Sequence, residues 1–178
     1  MTAHNLFLGP DAQVNHEISL LRAKREKKSL ADRASPVPGV FFAVDPEAKV
    51  AGQYVTGGDR LLQLQYVTKT TPRWLALHFA LGGVDLGSAS VFGVVCKSCA
   101  PEAATFRICL RSAMAEGFRD VFLPKHAVAY SQTSTHVDLL RLEGLDEVPG
   151  KADWRELILF FQTSSAHIDL LDLRVFIV

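Results

Sequence analysis

Arg73-Trp74-Leu75-Ala76-Leu77-His78-Phe79-Ala80-Leu81 alternates with a period of two. Leu75, Leu77, Phe79 and Leu81 form one uniformly large, apolar set, while Trp74, Ala76, His78 and Ala80 form the other. Side chains of a strand point alternately to opposite faces, so the first set belongs to a core and the second faces out. A Trp and a His separated by small alanines make a platform with room around it. The same arithmetic holds nearby. In Thr105 to Ser112, Phe106, Ile108 and Leu110 go inward and Arg107, Cys109 and Arg111 outward. In Arg60 to Val67, Leu62, Leu64 and Tyr66 go inward and Gln63 and Gln65 outward.

Further strand-like runs are Val40 to Val44, Ala48 to Val55, Ser88 to Cys96, Phe118 to Leu123, His136 to Leu142, Arg155 to Phe161 and Ile168 to Val178. Turn residues such as Asp45-Pro46, Gly57-Gly58-Asp59, Gly82-Gly83 and Val148-Pro149-Gly150 separate them. Many short strands at this spacing predict an all-β fold, a sandwich or a barrel. No long helical pattern lies between successive strands, which argues against a parallel α/β sheet. Arg155 to Phe161 is apolar on both faces after Glu156, as a central strand would be. The last run slips phase at Leu170-Leu171, which predicts a β-bulge.

The chain divides into an N-terminal arm, residues 1–38, helical or extended, and a β-sandwich over residues 39–178. In the arm, Val14, Ile18 and Leu21 fit one stripe of a short helix, with Asp11 placed to cap it. Arg22-Ala23-Lys24-Arg25-Glu26-Lys27-Lys28 carries five basic residues and is read as a solvated face or mobile segment. Ser35-Pro36-Val37-Pro38-Gly39 ends the arm.

The 178 residues suffice for one core. Lys plus Arg and Asp plus Glu both number 19, and a net charge of zero argues against nucleic acid as the partner. No apolar run reaches the length of a membrane span. Met1 to Gly9 lacks the pattern of a signal peptide, so the expected location is cytoplasmic, with free thiols. Cys96, Cys99 and Cys109 are odd in number, which rules out a fully paired disulfide set within the chain. Cys96-Lys97-Ser98-Cys99 has the spacing of a metal or redox pair, but no second pair follows; the main expectation is small apolar residues at a strand end.

The phrases Trp74-Leu75-Ala76-Leu77-His78-Phe79, Phe106-Arg107-Ile108-Cys109-Leu110-Arg111-Ser112, Trp154-Arg155-Glu156-Leu157-Ile158-Leu159-Phe160-Phe161 and Ile168-Asp169-Leu170-Leu171-Asp172-Leu173-Arg174-Val175 resemble the strands of jelly-roll carbohydrate-binding modules of the galactose-binding-like type. The resemblance covers roughly residues 40–178. It implies a two-sheet antiparallel jelly-roll sandwich that binds sugars on a concave face or at loop tips, with a structural calcium ion in some members. The missing signal-peptide pattern departs from secreted modules, so the expectation is a relative that works beside glycan-building enzymes rather than a module of a secreted hydrolase.

Sugar binding calls for aromatic faces that stack on the apolar side of a pyranose ring, and for planar polar groups that bond its hydroxyls. The outward residues Gln63, Gln65, Trp74, His78, Arg107 and Arg111 supply both and form the candidate ligand-binding set. Trp154 is read as a core or rim residue. For catalysis the pattern is thin: there is no G-x-S-x-G turn, no H-E-x-x-H and no glycine-rich phosphate loop. The expectation is a non-catalytic carbohydrate- or glycoconjugate-binding module. The alternatives are a protein-interaction domain that docks another protein or a second copy through its outer sheet or basic arm, and a metal-dependent β-sandwich enzyme.

Overall fold

The computed structural model describes residues 9–178. The leader reading of Met1 to Gly9 rests almost wholly on residues outside that range. Among the described residues one helix, α1 (Ala12–Ala23), precedes eleven strands. These are β1 (Glu26–Ser29), β2 (Val40–Val44), β3 (Val50–Thr56), β4 (Leu62–Thr68), β5 (Leu75–Gly82), β6 (Val91–Cys99), β7 (Ala104–Ala113), β8 (Phe118–Ala129), β9 (Ser134–Arg141), β10 (Arg155–Phe161) and β11 (Ala166–Ile177). They form two antiparallel sheets, one ordered β1-β3-β4-β11-β6-β9 and the other β2-β5-β10-β7-β8. The architecture is the expected two-layer sandwich.

The core lies between the layers. Leu62, Leu64 and Tyr66 of β4 and Leu173 and Val175 of β11 meet Leu77 and Phe79 of β5, Phe106, Ile108 and Leu110 of β7 and Leu157 and Leu159 of β10. All are buried, as the alternation requires. β10 stands in the middle of its sheet between β5 and β7. The register of β11 against β6 shifts between Leu170 and Asp172, at the phase slip in the sequence.

α1 buries Val14, Ile18 and Leu21. Asp11 flanks it without a side-chain capping bond and accepts instead from Asn15 Nδ2 at 3.2 Å. The helix also completes the sheet. β4 pairs with β11 only over residues 166–170. Beyond that point Asn15 takes the place of a neighbouring strand: its Nδ2 donates to Val175 O at 2.8 Å and its Oδ1 accepts from Val175 N at 3.0 Å.

Two expectations change. The basic run is solvated, with all five of its basic residues exposed, but its second half is a strand rather than a loose segment, because Glu26–Ser29 pairs with β3 at the sheet edge. Glu26 organises that run by accepting salt bridges from Lys24 at 2.8 Å and Lys28 at 2.9 Å. These contacts hold its carboxyl at about 2. A lysine-rich edge also discourages pairing with another sheet. The second change is β8, which runs six residues past Leu123 to Ala129. Pro124 lies where the β7–β8 register shifts, between the pairs Cys109–Phe122 and Arg107–His126. A bulge is one of the few places within a sheet where proline is tolerated. There Asp138 of β9 accepts from Lys125 N at 2.8 Å and so ties the edges of the two sheets together.

Candidate functional site: an aromatic groove across the five-stranded sheet

The register of the β2-β5-β10-β7-β8 sheet sets its outward side chains in rows. One row reads Phe41, His78, Ile158, Cys109, Phe122. A second reads Ala43, Ala76, Phe160, Arg107, His126. A third reads Ala80, Glu156, Arg111, Asp120. Together with the segments around Asp32-Arg33, Arg73-Trp74 and Gln162–Ser164, these rows line an open groove of about 1170 Å³.

The floor is apolar, since Ala76, Cys109 and Ile158 are fully buried beneath Phe122 and Phe160. Burial pushes the Cys109 thiol up to about 12, so it stays protonated at neutral pH and acts as a small apolar group. Small residues on β2 and β5 leave the space, and rings on β2, β8 and β10 bound it. Phe41 stacks on His78 with centroids 4.6 Å apart and planes 19° from parallel. Phe122 and Phe160 pack tilted at 5.5 Å. Trp74 stands half-buried just before β5, and Trp154, 39% exposed, precedes β10 at the rim.

Polar groups are fixed against this surface. Arg111 forms a fork on Asp120, with Nε and Nη2 donating at 2.6 and 2.7 Å, and lies over the Phe118 ring at 3.8 Å. His78 Nδ1 and Glu156 Oε2 are 2.8 Å apart. At the Trp74 corner, buried Asp45 accepts from Arg73 Nε and Nη2 at 3.0 and 2.9 Å and from Arg73 N at 2.8 Å. This holds the Asp45 carboxyl well below the usual carboxylate range. It also sets the Arg73 guanidinium 4.7 Å from the centre of the Trp74 ring. Arg107 differs: it lies 4.0 Å over Phe122, and its buried Nε has no hydrogen-bond partner.

Of the six residues read as one ligand-binding set, Trp74, His78, Arg107 and Arg111 come together here. Gln63 and Gln65 do not. They do face outward, but on β4 of the other sheet, where Gln63 donates to Asp169 Oδ1 at 2.9 Å. Alternation assigns a face within a strand, and only long-range pairing decides which sheet that strand joins. The sequence reading passed over Phe41, Phe122, Phe160, Asp120 and Glu156. The same period-two count along Phe118 to Phe122 and Glu156 to Phe160 would have found four of them. Trp154 is a rim residue. Cys96 is buried on β6, and Cys99 lies three residues further along the same strand, so alternation points the two to opposite faces. Among the described residues no group of three or more His, Cys, Asp or Glu side chains is placed to hold a metal ion.

No protein-family model matches this sequence. No curated protein matches it either. Solved structures do resemble it. The CBM22-1 xylan-binding domain from Paenibacillus barcinonensis Xyn10C superposes with a TM-score of 0.53 at 12% identity, covering 85% of this chain and 93% of that one. A family 11 carbohydrate-binding module from Clostridium thermocellum, in complex with a β-1,3-1,4-mixed-linked tetrasaccharide, gives 0.54 at 12% identity, over 84% and 94%. The N-terminal cellulose-binding domain of Cellulomonas fimi β-1,4-glucanase C gives 0.54 at 10% identity, over 84% and 94%. At these identities the likeness is one of fold: the chain has the jelly-roll sandwich of carbohydrate-binding modules.

Proposed function

We propose that the chain is a non-catalytic carbohydrate-binding module whose ligand lies across the β2-β5-β10-β7-β8 sheet. The observation that carries this reading is the groove itself, an apolar floor walled by Phe41, Trp74, Phe122, Trp154 and Phe160 with guanidinium, imidazole and carboxylate groups fixed among the rings. Aromatic faces cover the C–H side of a sugar ring with little loss of side-chain entropy. Planar charged groups bond pairs of hydroxyls. Both devices are present within one surface. The modules that share the fold include one described as xylan-binding and one solved with a bound tetrasaccharide, which supports the reading by analogy.

Both tryptophans line the groove. Titration of the chain with a panel of oligosaccharides should therefore shift Trp emission. Trp74→Ala should weaken the responding sugar by about 1 kcal/mol, roughly five-fold. A panel that leaves the emission unchanged, with no binding by calorimetry, would end the proposal.

A further inference from the structure

We infer that the groove prefers a carboxylate-bearing oligosaccharide, a chain of uronic acid units, over a neutral one. This rests on the carbohydrate-binding reading above and concerns the charge of the ligand. Its basis is the pairing of charges in the groove. Asp120 is taken up by Arg111, Glu156 Oε2 lies 2.8 Å from His78 Nδ1, and Asp32 accepts from Val44 N at 3.0 Å. Arg107 and Arg33, in contrast, form no ion pair among the described residues, and each lies over a ring instead: Arg107 over Phe122 at 4.0 Å and Arg33 over Phe41 at 5.1 Å. Phe41 on β2 and Phe122 on β8 are four strand spacings apart, roughly 19 Å. The two guanidinium groups therefore stand on opposite walls of the groove, Arg33 beside the Asp32 carboxylate and Arg107 with no carboxylate paired to it.

Two details bear on these groups. The Arg107 Nε is buried with no acceptor, a state that costs free energy until a ligand supplies one. A carboxylate can accept from Nε and a terminal nitrogen of one guanidinium through two parallel bonds, which a sugar hydroxyl does less strongly. Arg33 is the one non-glycine residue with positive φ among the described residues, at 60°. Hydrogen bonds from Arg33 N to Phe42 O and from Phe42 N to Ala34 O, both 2.9 Å, keep it in that unfavourable conformation beside the groove. Backbone strain of this kind persists where the surrounding structure enforces it, and it gathers at ligand sites. With a cation on each wall, the matching ligand is an oligosaccharide with repeated carboxylates.

The test is calorimetry on the full chain with an oligogalacturonate, its carboxyl-reduced counterpart and a sulfated oligosaccharide of equal length. The oligogalacturonate should bind roughly ten-fold or more tighter than the reduced form, and added salt should narrow the gap. Arg107→Gln should bring the two within about two-fold, and Arg107→Lys should keep the salt dependence while losing most of the preference. Equal binding of the acidic and reduced oligosaccharides by the unaltered chain would overturn the inference and leave the carbohydrate-binding reading standing. Equal binding of the sulfated and uronate chains would overturn the preference for a carboxylate. Failure of every saccharide to bind would overturn both readings.

Discussion

Among the described residues Arg155 is the largest side chain wholly inside the molecule, 1% exposed at the first position of β10. Its guanidinium donates to Val84 O at 3.0 Å, Ser112 Oγ at 2.6 Å, Gly150 O at 2.9 Å and Pro149 O. The loop after β5, the end of β7 and the Pro149-Gly150 turn thus share one donor. Burial lowers its basicity, yet an arginine starts so high that it stays charged, and the carbonyl dipoles meet that charge. Methionine has similar bulk and cannot donate, so Arg155→Met strands several buried acceptors. The expected loss is about 3 kcal/mol, read as a lower urea midpoint with an unchanged slope. Because Trp154 precedes Arg155, the same variant should loosen the rim of the groove, seen as a red-shifted Trp emission.

At the scale of elements, α1 acts as a partial strand for β11 through Asn15. Asn15→Ala leaves the N–H and C=O of Val175 without that partner and should cost about 1–2 kcal/mol. Asn15→Asp keeps the acceptor and loses the donor, so it should fall between the two. Amide exchange at Val175 checks the assignment, since its protection should drop in Asn15→Ala more than that of Leu173. The strands themselves were largely legible in the sequence because alternation is a local property: Leu75, Leu77, Phe79 and Leu81 declare a face whatever they pack on. What escaped was non-local. The basic residues after Arg22 read as solvated and are exposed, but no local pattern tells that Glu26 pairs opposite Thr56 and makes an edge strand of the second half of the run. Pro124 reads as a stop until the bulge that accommodates it carries β8 on to Ala129. The slip at Leu170-Leu171 was visible because a bulge breaks the local period.

At the scale of the whole molecule, half of the site was open to local reading and half was not. Trp74, His78, Arg107 and Arg111 share a surface because β5 and β7 both flank β10. Gln63 and Gln65 are excluded because β4 pairs with β3 and β11, and no local pattern encodes that choice. The same network of pairings makes the fold sensitive to acid, and the sign follows from three groups. Arg73 holds the Asp45 carboxyl below its ordinary 3.8, and Lys24 and Lys28 hold Glu26 at about 2 against 4.5. The folded chain therefore binds fewer protons than the unfolded chain at these sites. Their contribution is complete above the unfolded values and lost as pH falls through the folded ones. Burial lowers His136 below its ordinary 6.5, so the unfolded chain again takes up the proton first, and stability begins to fall near that pH. The urea midpoint should decline gently from about pH 6.5 and more steeply from about pH 5 toward pH 2. Asp45→Asn should have a lower midpoint at pH 7 and a shallower decline in acid. A midpoint that stays level or rises between pH 5 and pH 2 would contradict the sign derived for Asp45 and Glu26, and one that rises as pH falls through 6.5 would contradict the sign derived for His136.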